Sequence, residues 1–150
     1  MKWRSAVDRA VAPLGLTHAQ YAMLSSLRGL QHRGIEPSQR ELSDHTGLDT
    51  IYVSKLARAL QAKGLVERST HPADTRAVQL RLTHSGTGIV DSAITVVHAL
   101  LAQLTAPLGG SSSQRTQQLE AELRVLLHDT TLVAPDEQEP STLNGKDRPS

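Results

Sequence analysis

A mainly helical chain carrying one small β-hairpin is what these 150 residues predict, and three observations carry the prediction. Residues 38–63 hold two helical patterns separated by a sharp turn at Gly47. Residues 65–82 switch from the helical period to the alternation of two short strands. From residue 84 onward, broad apolar stripes return at helical spacing. The first two together make a helix-turn-helix running into a hairpin, a combination that points to double-stranded DNA. The third supplies long apolar helices beyond the DNA-reading segment.

Thr17 and Gln20 form a capping box, in which hydroxyl and amide side chains satisfy exposed backbone groups at a helix start. With Leu16 able to staple against Tyr21, a helix is expected from residue 18 to about residue 30, its core face built from Met23, Leu24 and Leu27. Ser38 and Glu41 repeat the box, so another helix begins near Gln39 and carries Leu42 and Ser43. Gly47 adopts the positive φ that a sharp turn requires, and Leu48 packs that turn. Asp49 caps the second helix of the pair, and Gly64 stops it.

On that second helix a rotation of about 100° per residue gathers Val53, Leu56, Ala57 and Leu60 on one side. Ile51, Lys55 and Arg58 point outward, flanked by Tyr52 and Ser54. Such a face suits base edges, because lysine addresses guanine acceptors or a phosphate and an aliphatic group touches a thymine methyl. A charged outer face is common on any amphipathic helix, so the hairpin weighs heavily. Leu65-Val66-Glu67-Arg68 forms one arm; Val78, Leu80 and Leu82 face one way on the other, leaving Gln79 and Arg81 on the opposite, wet face. Between the arms, Pro72, Asp74 and Arg76 put a rigid bend, a carboxylate and a guanidinium within five residues. Asp74 is expected to fix Arg76 by a bidentate pair, and an arginine at a protruding tip suits the negative potential of a narrow minor groove. Taken alone, the loop reads as an exposed ion pair of little energetic weight.

Ile89, Val90, Ala93, Ile94, Val97, Leu100, Leu101 and Leu104 form a stripe over residues 83 to about 105, too wide for a helix on a monomer surface. Burial against a second copy is the expectation. Pro107-Leu108-Gly109-Gly110 turns the chain, and a further helix begins near Ser112 or Ser113 with Leu119, Leu123, Leu126 and Leu127 on one side. Residues 131–150, rich in proline, acidic and small polar residues without apolar period, are expected to be a disordered tail.

Composition bounds the function. A single domain over about residues 1–130 is expected from the length. The net charge of +1 divides unevenly: residues 129–150 hold five acidic and two basic residues, whereas residues 49–83 hold six basic and three acidic ones. The basic excess therefore sits on the helix-turn-helix and hairpin. The chain has no cysteine, which excludes disulfide scaffolds, thiol nucleophiles and thiolate zinc sites. No apolar run is expected to reach the length of a membrane span, and Met1-Lys2-Trp3-Arg4 lacks the apolar stretch of a signal peptide, so a cytoplasmic protein without membrane contact is expected. The seven histidines include no ligand pair at i, i+4, and no metal or cofactor is assigned. Ser43, Asp44 and His45 are adjacent on one helix and do not converge on a substrate, while Gly86 and Gly88 lack the rest of any nucleotide motif. The chain reads as no enzyme.

Over roughly residues 14–128 the chain resembles the MarR family of bacterial winged helix-turn-helix regulators. The resemblance rests on Leu16-Thr17-His18-Ala19-Gln20-Tyr21, on Gly47, on Ala62-Lys63-Gly64-Leu65-Val66-Glu67-Arg68, and above all on Asp74-Thr75-Arg76 followed by Leu80-Arg81-Leu82-Thr83. It implies a DNA-binding lobe at about 35–83 and dimerisation helices at about 1–13, 84–106 and 112–129. Only about a dozen residues precede Leu14, fewer than the family's first helix usually has, so either the start is truncated or the dimer leans on its C-terminal helices. The implied function is repression from a pseudo-palindromic operator by a homodimer, with release by a small phenolic or other anionic molecule. DNA contact is expected from Ser38, Gln39, Thr50, Ile51, Tyr52, Ser54, Lys55, Arg58, Asp74 and Arg76, and effector contact from His18, Tyr21 and Ser25. A zinc-responsive regulator and a winged helix used for protein contact remain as alternatives.

Overall fold

The computed structural model describes residues 2–129; the expected tail at 131–150 lies outside them. The order is α1 (Lys2–Val11), α2 (His18–His32), α3 (Gln39–Thr46), α4 (Thr50–Ala62), β1 (Val66–Thr70), β2 (Val78–Leu82), α5 (His84–Thr105) and α6 (Gln114–Asp129). Short 3-10 turns, Ala12–Leu14 and Ala106–Leu108, follow α1 and α5.

Local chemistry sets the helix boundaries. The Thr17 hydroxyl accepts from the Gln20 amide at 3.2 Å and the Gln20 side chain accepts from the Thr17 amide at 3.2 Å, so the first expected capping box is complete. The second is complete as well: the Ser38 amide donates to Glu41 Oε2 at 2.7 Å and the Glu41 amide to Ser38 Oγ at 3.1 Å. Gly47 ends α3 at φ 70°, a left-handed conformation that side-chain-bearing residues rarely adopt. Asp49 Oδ1 then accepts from the amides of Ile51 and Tyr52 at 2.9 and 3.1 Å and starts α4.

One core joins α1 to α5 and the hairpin. Val7 and Val11 of α1, Met23, Leu24 and Leu27 of α2, Leu42 of α3, Val53, Ala57 and Leu60 of α4, Val66 and Leu80 of the hairpin, and Val90 and Ala93 of α5 are buried together. The short α1 is thus part of the core, packed on α2 and α5. Two tethers fix the hairpin and α4 against the rest. Lys63 Nζ, just past α4, donates to Gly15 O at 2.5 Å and to Gln20 Oε1 at 3.1 Å. At the start of α5, Thr83 Oγ donates to Gly64 O at 2.7 Å and accepts from the Gly86 amide at 2.9 Å, while the Thr83 amide donates to Leu65 O at 3.1 Å. A Cβ on Gly86 would lie 1.9 Å from Leu65 O, so only glycine allows this approach. A bidentate pair, Arg28 to Asp91 at 2.8 and 3.2 Å, ties α2 to α5.

Three expectations need correction. Gln79 does not lie on a wet face: it is half-buried, and its Nε2 donates to Glu36 O at 3.1 Å. The reason is tertiary, since residues 36–38 run beside β2, with Leu80 N donating to Pro37 O at 2.9 Å and Ser38 joined to Gln79 by an isolated bridge. The α5 region was expected to fall short of a membrane span. In fact the 25 residues His84–Leu108 reach that length, with a mean hydropathy of 1.5 over their most apolar window and only 22 % of that window buried. The apolar stripe is as wide as expected; Val90, Ala93 and Val97 are buried, whereas Leu104 is 60 % exposed. The third is the bidentate pair of Asp74 and Arg76, which the hairpin tip does not form.

Candidate nucleic-acid interface

The outer face of α4 and the tip of the hairpin converge on one trough. Beside α4 lies an open depression of about 500 Å³ lined by Gln39, Thr50, Ile51, Ser54, Lys55 and Arg58. It continues through Gln39 and Thr50 into a second depression of about 380 Å³, bounded by Ser38, Arg40, Asp74, Arg76, Ala77 and Val78. Of the ten residues the sequence nominates for DNA contact, nine line this trough; Tyr52 stands beside it, exposed on the same helix.

Each position follows from the fold. Burying Val53, Leu56, Ala57 and Leu60 turns Ile51, Lys55 and Arg58 outward, and Ile51 is 79 % exposed, an unusual state for an isoleucine in a helix. The Thr50 hydroxyl lies 3.1 Å from Ser43 Oγ, which itself donates to Leu48 O, so the turn between α3 and α4 is stapled from inside. Ser38 is buried, and its hydroxyl is engaged by the Glu41 amide. Ser38 therefore shapes the floor of the trough. The Ser38 amide in turn holds the Glu41 carboxyl below its ordinary range.

At the tip, the expected bidentate pair is absent. The Arg76 amide donates to Asp74 Oδ1 at 3.0 Å, while Arg76 Nε stands 3.9 Å from the same oxygen. Two residues of separation in a tight turn bring the carboxylate to the backbone N–H, and the guanidinium projects away, 95 % exposed. Asp74 thus fixes the loop, and the cation is left open. Pro72 and the His71 ring, whose Nδ1 accepts from the Ala73 amide at 3.1 Å, shape the rest of the bend.

Two cations escaped the sequence reading. Arg40 lines the trough from the first turn of α3, where an acidic residue would better suit the helix dipole; that mismatch was the available signal. Arg68 lines a further depression beyond Arg76; its place on the face of Val66, where the alternation calls for an apolar residue, was the signal. His18, Tyr21 and Ser25 lie on α2, and none of them lines the trough. The His18 amide donates to Asp8 Oδ1 at 2.6 Å, Ser25 Oγ donates to Ala22 O at 3.0 Å, and Tyr21 is half-buried against the core, where burial pushes its phenol up. Among the described residues, no three histidine or acidic side chains gather to hold a metal ion.

Comparison with known proteins bears on this arrangement. The MarR family profile matches residues 14–77. An uncharacterized HTH-type transcriptional regulator of Bacillus subtilis, YdcH, is 34 % identical over 98 residues, 65 % of this chain and 67 % of its own length. Among solved structures, a mutant MarR from E. coli complexed with operator DNA superposes with a TM-score of 0.72 at 28 % identity, over 84 % of this chain and 86 % of that one. The S. aureus MepR–DNA complex superposes with a TM-score of 0.74 at 24 % identity, over 85 % and 88 % of the two chains, a likeness of fold. The capped helix pair, the hairpin with its Asp74-Thr75-Arg76 tip and these matches have one meaning: the chain belongs to the MarR family of winged helix-turn-helix transcriptional regulators, and it is not an enzyme.

Proposed function

We propose that this regulator binds a pseudo-palindromic DNA operator as a homodimer, represses transcription from it in the cytoplasm, and is released by a small anionic molecule. One observation carries the DNA reading: a single trough joins the outward face of α4 to the exposed Arg76 guanidinium. A helix carrying Ile51, Ser54, Lys55 and Arg58 has the donors and the aliphatic group that base edges in a major groove require. Arg76, beyond it, suits the adjacent minor groove. The E. coli MarR structure that this chain resembles at 28 % identity is a complex with operator DNA, which supports the same assignment.

Apolar surface that one chain leaves uncovered supports the homodimer. Leu104, Leu119, Leu123 and Val125 are 60, 43, 47 and 60 % exposed. A second copy covers this surface, and the excess hydropathy of α5 belongs to that interface, not to a membrane. Two α4 helices related by a twofold axis then meet successive major-groove faces about 34 Å apart. Occupying a promoter in this way excludes polymerase. For the effector, His18, Tyr21 and Ser25 share one face of α2 at i, i+3 and i+7, and a phenolic carboxylate is the chemistry we assign. Its action requires tighter binding to a dimer whose α4 helices are wrongly spaced, because equal affinity for both forms shifts nothing.

Fluorescence anisotropy with a duplex selected from a random pool by the purified protein tests the reading. Arg76→Ala is expected to weaken all duplexes, and Lys55→Ala to weaken some far more than others. If neither substitution changes binding, the winged helix serves protein contact instead. A hydroxybenzoate is expected to release the duplex, and Tyr21→Phe to blunt that release.

A further inference from the structure

Beyond Arg76, between the end of α4 and the base of the wing, lies a third depression of about 340 Å³, lined in part by Gln61, Arg68, Thr70, Thr75 and Arg76. It meets the trough across Arg76, Ala77 and Val78. No acidic residue lines it.

Arg68 is the unusual member. It pairs with Leu80 across the hairpin, with Val66 and Leu82 on the same face, where strand alternation calls for an apolar side chain. Its aliphatic stem lies at the rim of the core and carries the guanidinium toward the depression. That guanidinium is under-committed. Nη1 donates one long hydrogen bond to Gln61 Oε1 at 3.4 Å, and Nε is buried without an acceptor. Arg28 and Arg81, by contrast, are each neutralised by a carboxylate at 2.8 and 2.9 Å. Among the described residues Arg68 has no such partner.

We propose that this depression seats one phosphate of the DNA backbone, with Arg68 as its principal donor and the Thr70 and Thr75 hydroxyls beside it. The inference rests on the DNA-binding reading above and extends it from the tip of the wing to its base. Base edges present mixed donors and acceptors, whereas two guanidiniums with hydroxyls and no carboxylate match an oxyanion. The place fits too. The depression adjoins the trough across Arg76, Ala77 and Val78, so a backbone that meets Arg76 continues toward it. Once the side chain turns outward, a phosphate oxygen supplies the acceptor that Nε lacks.

Arg68→Met keeps the stem and removes both the charge and the unmet donor, so it is expected to melt no lower than the parent protein. Operator binding measured by anisotropy across a salt series is expected to weaken on the order of tenfold or more for every duplex alike, and the slope of log K against log salt to shallow by about 1.8, since each of the two half-sites loses one phosphate contact. Arg68→Lys is expected to keep the slope. A scan of single methylphosphonates should find one position per half-site that weakens the parent protein and leaves Arg68→Met unchanged. An unaltered slope with no such position overturns the inference, as does a loss confined to particular sequences, which would mean a base contact. If inorganic phosphate protects the parent protein from melting, Arg68→Met does not respond, and the duplex slope is the same in both, the site takes a free anion and the backbone assignment is wrong. Absence of salt-dependent binding of any duplex by the parent protein would instead sink the DNA-binding reading itself.

Discussion

Single residues at the trough divide into those that touch and those that hold. Ser38 is buried with its hydroxyl engaged in a cap, so Ser38→Ala is expected to cost about 1 kcal/mol of folding stability, read as a lowered melting temperature. Its partner Glu41 has a pKa below the ordinary value because the Ser38 amide donates to it. The box therefore contributes above the unfolded-state pKa and is lost as pH falls through the lower folded one. Asp74 holds the tip through the Arg76 amide, so Asp74→Ala should weaken duplex binding with little change in melting. A loss as large as that of Arg76→Ala would give Asp74 a more direct part. The capping boxes were legible in the sequence because each is written within four residues. The engagement of Arg76 was not, since a carboxylate two residues away can take either the backbone or the guanidinium, and only the turn's geometry chooses.

At the level of elements, the helix pair and hairpin followed from period and turn residues, and their boundaries agree with the expected ones to within a few residues. What sequence could not supply were contacts between elements. Gln79 looked solvent-facing because alternation knows nothing of residues 36–38, which close on β2 from forty residues upstream. Arg68 broke the alternation on the face of Val66, but what its guanidinium meets depends on Gln61 at the end of α4, which the strand pattern does not contain. The joint between β1 and α5 is the sharpest of these contacts: with Leu65 O 1.9 Å from a would-be Cβ, Gly86→Ala must displace backbone. A loss of about 1–3 kcal/mol or more is expected, visible in thermal melts. Between α2 and α5, Arg28 holds the Asp91 carboxyl below its ordinary pKa. That pair contributes above the unfolded-state value and fades as pH falls through the folded one, so the difference in melting temperature between the parent protein and Asp91→Asn should narrow below about pH 4. A constant difference across that range would mean that the charge is immaterial.

For the whole molecule, the surface left over by folding matters as much as the core. The width of the α5 stripe was legible as an excess of apolar positions, but hydropathy alone describes a membrane span equally well. The wing and the helix pair decide between the two. Paired substitutions Leu119→Glu and Leu123→Glu are expected to yield a folded monomer in sedimentation, with operator affinity reduced by orders of magnitude because each half-site is then bound alone. A dimer that survives both would move the interface elsewhere on α1 and α5. The joint at Gly86 has one more consequence. With Thr83 clasping Gly64 and Leu65, the first turn of α5 and the root of the hairpin form a single rigid elbow. The hairpin is also fastened to residues 36–38 and to the core face of α4, so the elbow makes the root of the wing, the start of α5 and the floor of the trough one mechanical unit. A change in how two copies of α5 pack would therefore present the α4 face and Arg76 to DNA together, not one by one.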